Sequence, residues 1–413
     1  MINGGRPLCG QVEIPCSKNA YLPILAGCIL CDGKIVLHKC PRFSDIDAML
    51  RVLETLGTVV VKQNDDLYID CTKIKFSYIP SELTKIIRSS IFTLGALLGR
   101  LRRAKIAYPG GCDIGVRPID LHLKGLRALG IKVEERHGYI SCESTKFCAG
   151  SVDLDYPSVG ATENLMMVAV LSSGVTTIRN PAREPEIVDL QDFLNSMGAK
   201  ISGAGTNEIV IQGVDKLHST EYTPMRDRIV AGTLLVACAM TGGEVTLTHC
   251  NPEHFLPIVN KLVKSSCKIE ANNDNICISS DGCLQSFGEL ETGPYPAFPT
   301  DMQTQMLTMS TICKGSTLVT ENVFESRFRV VPELSKMGAD IVVQGRTAFV
   351  RGVDRLLGAT VYAHDLRGGA GLVLAGLCAV GYTTVYDVWH IDRGYEQLDQ
   401  TLASLGADIH RLD

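Results

Sequence analysis

The residues whose types and spacing are best suited to chemistry lie in one stretch: Pro109, Gly110, Gly111, Cys112, Asp113, Ile114, Gly115, Val116, Arg117, Pro118, Ile119, Asp120, Leu121 and His122. Three glycines and two prolines around a single cysteine call for backbone dihedrals that regular elements do not supply, so the Cys112 thiol is presented on a loop. An arginine follows five residues later, and Asp120-Leu121-His122 opens a helix directly afterwards. His122 reads as a structural residue at that helix start. Composition alone gives the plainer reading, in which Cys112 is one of sixteen cysteines that mostly pack as small hydrophobes.

A second kind of chemistry, anion binding, is suggested by residues at recurring helix starts and by arginines at recurring loops. Lys18-Asn19, Arg88, Gly160-Ala161, Arg226-Asp227, Asp301 and Arg367 lead into or open apolar helical stretches. Helix N-termini carry unpaired amides and about half a positive charge, so several of them converging on one place make a site for phosphates and carboxylates. Arg42, Arg117, Arg183, Arg327 and Arg393 form a parallel series in loops that follow β-rich runs.

The elements that hold these residues come from a repeat. A helix tail recurs as Leu56-Gly57-Thr58, Leu129-Gly130-Ile131, Met197-Gly198-Ala199, Met337-Gly338-Ala339 and Leu405-Gly406-Ala407, with Ser265-Ser266-Cys267 as a degenerate copy. The tail positions 57, 130, 198, 266, 338 and 406 give a sixfold repeat of about 70 residues. Apolar helices are expected over 19–30, 89–100, 162–171, 229–240, 302–312 and 369–379, each followed by a Gly-punctuated β-rich run such as 33–37, 174–178 or 243–247. Helix, strand, helix, strand, strand is the unit. The period is too long for a solenoid of 30 to 45 residues, and three such units pack naturally into one domain.

Length and composition agree. A chain of 413 residues is long for one core, and 45% hydrophobic content fills two. A net charge of -5 argues against nucleic acid as the main partner. The longest apolar runs, 22–30 and 234–240, fall well short of the roughly 20 residues of a bilayer span, and no charged-then-apolar leader is present, so a cytoplasmic protein without a membrane partner is expected. Cysteines spread over the whole length fit a reducing compartment. Cys28 and Cys31 form a C-x-x-C without a second pair, which argues against zinc. Neither a phosphate-binding P-loop nor a G-x-G-x-x-G opens a helix, so no organic cofactor is expected, and no metal site either.

Ser17-Lys18-Asn19 followed by Leu22-Pro23-Ile24-Leu25, the loop from Pro109 to His122, and Pro296-Ala297-Phe298-Pro299-Thr300-Asp301-Met302-Gln303 closely resemble UDP-N-acetylglucosamine enolpyruvyl transferases, of the EPSP synthase superfamily. So do Phe324-Glu325-Ser326-Arg327-Phe328, Asp365-Leu366-Arg367 and His390-Ile391-Asp392-Arg393-Gly394-Tyr395-Glu396. The resemblance runs end to end with the repeat in register. It implies an α/β fold of the inside-out barrel type, with two domains of three repeats and an active site in the cleft between them. One domain is expected over 18–226 and the other over 1–17 plus 227–413. The implied activity is the first committed step of peptidoglycan synthesis: transfer of the enolpyruvyl group of phosphoenolpyruvate to the 3′-hydroxyl of UDP-N-acetylglucosamine, with release of phosphate.

Such an addition and elimination needs a general acid, a general base and a cage of cations for a trianion. Cys112 is the expected acid, since a thiol with a reference pKa of about 8.5 is mostly protonated at neutral pH and Asp113 gives no local reason to depress it. The same thiol can instead add covalently to phosphoenolpyruvate, and the sequence leaves both roles open. Asp301 is the expected base, one residue beyond Thr300 in a Thr-x-x-Gln capping pattern. The resemblance assigns Lys18, Arg117 and Arg393 to the phosphate and carboxylate of phosphoenolpyruvate, with Asn19, Arg327 and Arg367 in the same pocket. For the nucleotide sugar it marks Arg88, Arg117, Pro118, Ile119, Asp120, Leu121, Ser158, Val159, Gly160, Asp301 and Val323. One departure is Tyr156, where some relatives place a lysine, which weakens or reshapes a contact to the diphosphate or uracil side. Asp45 and Asp47 receive no role. The rival readings are enolpyruvyl transfer to shikimate 3-phosphate, whose enzymes need no cysteine loop, and a non-catalytic regulator that binds the nucleotide sugar.

Overall fold

The computed structural model describes residues 1–110, 114–115, 118–144 and 149–412. They fall into two compact units: one spans 16–225, and the other joins 1–15 to 226–412 and includes Ile114 and Gly115.

Each unit contains three four-stranded sheets, and all six share one order. In the first sheet of the 16–225 unit, Lys34–Leu37 is flanked by the parallel strand Thr220–Tyr222 and the antiparallel strand Asp66–Asp70, which in turn pairs antiparallel with Val59–Gln63. The register sets Ile35 opposite Ile69 and Leu37 opposite Leu67, all four buried, while Lys34 turns out, the alternation a half-buried sheet requires. The other unit reaches the same order with strands from the chain's start: Leu8–Glu13 runs parallel to Gly243–Thr248, and Ile2–Asn3 lies between Tyr382–Tyr386 and Asp408–Ile409.

Inside each ring of sheets lie three helices that are buried nearly all round: Lys18–Gly27, Phe92–Leu101 and Val159–Val170 in one unit, and Arg228–Thr241, Gln303–Ser310 and Leu366–Cys378 in the other. Four of them, Lys18–Gly27, Phe92–Leu101, Arg228–Thr241 and Leu366–Cys378, are apolar over most of their length, so an interior position accommodates them, whereas Gln303–Ser310 is buried although five of its eight residues are polar. This is the inside-out α/β arrangement. Close approach depends on small residues: a Cβ on Gly95 would lie 2.5 Å from the Asn164 carbonyl oxygen, and one on Gly99 would lie 2.8 Å from that of Met167. Contacts at 95 with 164 and at 99 with 167 make these two helices parallel, so their N-termini point the same way.

Six outer helices are amphipathic, for example Ser44–Leu56 and Leu256–Lys264. The repeated tail is their C-terminus. Gly57, Gly130, Gly198, Gly338 and Gly406 all have φ between 75° and 105°, the left-handed position that ends a helix and favours glycine. Ser266, the degenerate copy, takes the same conformation with φ 76°. The repeat was therefore visible because one backbone requirement recurs.

Helix boundaries differ from the sequence expectation where short 3-10 turns precede the inner helices, at Arg88–Ile91 and Thr300–Met302. The fourteen described cysteines are free thiols, most of them buried. No helix among the described residues is long and apolar enough to cross a membrane.

Candidate active site

In the 226–412 unit two of the three inner helices begin with their own side-chain caps. The Asp227 carboxylate accepts from the amides of Ile229 and Val230, and the Asp365 carboxylate from those of Arg367 and Gly368, which fixes the first turn from which Arg367 projects. The 3-10 turn Thr300–Met302 carries Asp301 alongside. Thr300 does not cap the helix as the Thr-x-x-Gln pattern led one to expect. Its hydroxyl donates to Glu321 Oε2 at 2.9 Å, and the N-cap position falls to Met302, which makes no side-chain cap. Glu321, nearly inaccessible, also accepts from Thr292 and from the amides of Val323 and Phe324. It therefore ties the Asp301 turn to the loop bearing Val323 and Arg327.

Three of the expected residues meet here. Asp301 Oδ1 accepts from Arg327 Nη2 at 2.5 Å and Asp301 Oδ2 from Arg367 Nη2 at 3.1 Å. Both guanidiniums are about 3% exposed, whereas the Asp301 side chain is 26% exposed, so the carboxylate is the part of the clasp nearest water. Burial pushes the Arg367 pKa down, but the negative charge of Asp301, with smaller contributions from the neighbouring Tyr395 hydroxyl and from Asp227, overrides it and holds the cation firmly protonated. Two positive groups share one negative one. Arg327 Nε and Arg367 Nη1 have no hydrogen-bond partner among the described residues. A buried guanidinium with an unsatisfied N–H is suited to take an anionic ligand. Arg393 ends the turn Val388–Arg393, half-buried, and this turn packs against the helix of Arg367. His390 in the same turn has its pKa lowered by burial and then by the Arg393 charge.

The 16–225 unit holds the second group. Ser17 caps the helix that starts with Lys18 and Asn19, accepting from the Ala20 amide. Lys18 Nζ lies 3.1 Å from Asp45 Oδ2, with the two side chains only 12% and 7% exposed. Asp45, for which the sequence suggested no role, thus holds Lys18 in place; its signal was its position in the first turn of Ser44–Leu56. Ser158 caps Val159–Val170 by accepting from the Ala161 amide. A Cβ on Gly160 would lie 3.0 Å from His122 and 3.5 Å from Phe92, so the starts of three helices come together. Ile119 caps the helix Asp120–Ala128 with its backbone, Pro118 and Asp120 are exposed, and Leu121 packs on the core. Arg88 opens its 3-10 turn half-buried. His122 Nδ1 meets Asn164 Nδ2 at 2.9 Å, the structural role expected of it.

Cys112, Asp113 and Arg117 lie outside the described residues. Next to them, Ile114 accepts a backbone hydrogen bond from Ser326, immediately before Arg327. Among the other arginines in the two series, Arg42 makes an exposed ion pair with Asp65, and Arg226 bonds the Ile14 carbonyl and Glu13; both are structural. Sequence reasoning missed Glu163, Gln305, Thr233 and the role of Tyr395. All four are buried, and only the polar character of Glu163 and Thr233 inside largely apolar helices gave any local signal.

Inward-facing helices, outward sheets, and a carboxylate clasped by paired buried arginines define a class as well as a geometry. The family model of EPSP synthase (3-phosphoshikimate 1-carboxyvinyltransferase) matches residues 2–402, and the chain belongs to this family. The enolpyruvyl transferase NikO from Streptomyces tendae superposes with a TM-score of 0.89 over 99% of this chain and 97% of its own, at 23% identity. EPSP synthase from Acinetobacter baumannii gives 0.75 over 100% and 99%, at 18% identity. Within the family, the chain is 52% identical over its full length to UDP-N-acetylglucosamine 1-carboxyvinyltransferase 2 of Caldanaerobacter subterraneus subsp. tengcongensis, covering 99% of that protein. It is 47% identical to UDP-N-acetylglucosamine 1-carboxyvinyltransferase 1 of Symbiobacterium thermophilum, covering 100% of this chain and 95% of that one.

Proposed function

We propose that the protein transfers the enolpyruvyl group of phosphoenolpyruvate to the 3′-hydroxyl of UDP-N-acetylglucosamine, the opening step of peptidoglycan synthesis (EC 2.5.1.7), and that both groups of residues serve this one reaction. The carrying observation is the full-length identity to proteins named for that activity, 52% in one case, together with the Asp301 clasp. The free thiols support a reducing compartment, the cytoplasm in this reading.

The sugar hydroxyl adds to C2 of phosphoenolpyruvate while a proton is delivered to C3. The C2–O bond to phosphate then breaks, and C3 loses a proton as the double bond reforms. Asp301 is the base of this sequence and Cys112 the acid or the covalent carrier. In the free enzyme both Asp301 oxygens accept from guanidiniums. An arriving phosphate and carboxylate compete for the same N–H groups, which returns lone pairs to Asp301 as the substrate binds. Lys18, Asn19, Arg117, Arg327, Arg367 and Arg393 neutralise the trianion. Arg88, Pro118 to Leu121, Ser158 to Gly160 and Val323 hold the nucleotide sugar, partly through the amides of the capped helix start at Ser158.

Phosphate release from phosphoenolpyruvate tests this directly. Release with UDP-N-acetylglucosamine and none with shikimate 3-phosphate is expected. The reverse pattern would identify a shikimate enzyme, and no release with either would leave the binding protein.

A further inference from the structure

Behind the Asp301 clasp lies a buried polar chain that none of the roles above uses. Gln305, one turn beyond Asp301, directs its Nε2 to the Asp301 carbonyl at 3.0 Å, to the Tyr395 hydroxyl at 3.1 Å and to Thr233 Oγ1 at 3.1 Å. Thr233 and Tyr395 are themselves 2.9 Å apart. All three side chains are buried, Tyr395 to 2% exposure and the others fully. The Tyr395 ring lies beneath Arg367, with the guanidinium carbon 5.3 Å from its centroid.

The protons can be assigned. Thr233 has the Ile229 carbonyl as its shortest acceptor, at 2.8 Å, and donates there. The single Tyr395 proton then goes to Thr233 Oγ1, and the two hydrogens of Gln305 Nε2 go to the Tyr395 oxygen and the Asp301 carbonyl. This assignment uses every hydrogen of the three groups, and the remaining Nε2 contact, to Thr233 Oγ1 at 3.1 Å, then carries none. Thr233 belongs to Arg228–Thr241, Gln305 to Gln303–Ser310, and Tyr395 follows the turn that ends in Arg393, so the chain locks three separate elements together.

We infer that Tyr395 and Gln305, backed by Thr233, are positioning residues for the reaction. Tyr395 sets the plane of the Arg367 guanidinium with its ring, and Gln305 sets the Asp301 main chain, so that carboxylate and cation are aligned before substrate arrives. Neither touches substrate. In this assignment the Tyr395 proton is engaged by Thr233. The inference rests on the enolpyruvyl-transfer reading, in which Asp301 and Arg367 act on phosphoenolpyruvate.

The test compares wild type, Tyr395→Phe and Gln305→Glu in the phosphate-release assay with phosphoenolpyruvate and UDP-N-acetylglucosamine from pH 5.5 to 8, with melting temperatures measured alongside. Tyr395→Phe keeps the ring and the fold, and its kcat is expected to fall about ten- to a hundredfold while the KM for the nucleotide sugar stays within about twofold. Gln305→Glu loses its donors when ionised and regains one when protonated, so its activity relative to wild type is expected to rise as pH falls. A role in packing alone would lower melting temperature without this pH-dependent recovery. Wild type active and both variants within about twofold of it at every pH would overturn the inference alone, as would losses that only track the fraction unfolded. Wild type inactive would overturn the functional reading and this inference with it.

Discussion

Glu163 offers a quantitative test of the interior of the 16–225 unit. It lies in the inner helix Val159–Val170, fully buried, with neither carboxyl oxygen hydrogen-bonded among the described residues. Glu184 and Glu186 approach it from the start of Pro185–Ser196, and His122, which faces the same helix, is engaged by Asn164. Burial, then the charges of Glu186 and Glu184, raise the Glu163 pKa well above its ordinary value, so the native carboxyl holds its proton to a higher pH than the unfolded chain does. The unfolded chain releases that proton near pH 4.3. A raised native pKa contributes stability that is fully present below the unfolded value and is lost as pH rises towards the native one. The loss is about 1.4 kcal/mol per pH unit, or up to about 4 kcal/mol between pH 5 and 8. Glu163→Gln removes this dependence and substitutes a constant penalty of about 1–3 kcal/mol for a buried amide without partners. The variant should therefore be no more stable than wild type at pH 5 and more stable at pH 8. Urea unfolding followed by circular dichroism at four pH values measures the gap, because all other titrating groups are common to both proteins. With an m-value of about 3 kcal/mol/M the midpoints should separate by roughly 0.5 M per pH unit. A gap that stays constant from pH 5 to 8 would mean the native carboxyl is ionised, and the reasoning fails.

Three further outcomes are expected. Asp301→Asn should lower kcat by about 10²- to 10⁴-fold in a rapid-quench measurement of phosphate release, through loss of the base; a fall of less than threefold would remove Asp301 from that role. Ser266→Gly should raise stability by about 0.5–1 kcal/mol because a left-handed φ of 76° strains serine, whereas Gly338→Ala, at φ 90° with open space around it, should lower it by a similar amount; thermal melts that rank the two the other way would contradict the repeat's backbone logic. Cys112→Asp should keep turnover yet resist inactivation by an epoxide such as fosfomycin, and full inactivation of that variant would exclude Cys112 as the target.

The architecture was legible wherever a local requirement repeats. Five glycines and Ser266 mark the same left-handed helix end, and inner helices as apolar as Arg228–Thr241 and Leu366–Cys378 belong in the interior. The clasp was legible in its members, Asp301, Arg327 and Arg367, because they stand at recurring positions and the family resemblance placed them at one site. What could not be read is which partner each polar group chooses across the fold. Thr300 looked like a helix cap because Gln303 follows at the right interval, yet Glu321 takes its hydroxyl from 21 positions away. Asp45 showed no purpose until Lys18 was found beside it, 27 positions earlier. Gln305 and Thr233 are 72 positions apart, one repeat, and nothing local to either announces the other.

That last spacing bears on why the fold suits this chemistry. Parallel inner helices at equivalent places in successive repeats bring their first turns to one end of the unit, so Arg367 and Asp301 meet although 66 positions separate them. Each first turn adds amide dipoles of the same sign, and two guanidiniums converge on the one Asp301 carboxylate, with Asp227 also acting on Arg367. A solvent-exposed ion pair would relax. Here Tyr395 under Arg367 and Glu321 behind the Asp301 turn hold the groups in place, and the guanidinium N–H groups without a partner among the described residues remain suited to an anion. The repeat thus supplies alignment, and the buried polar contacts between repeats keep the positive field from being spent within the protein itself.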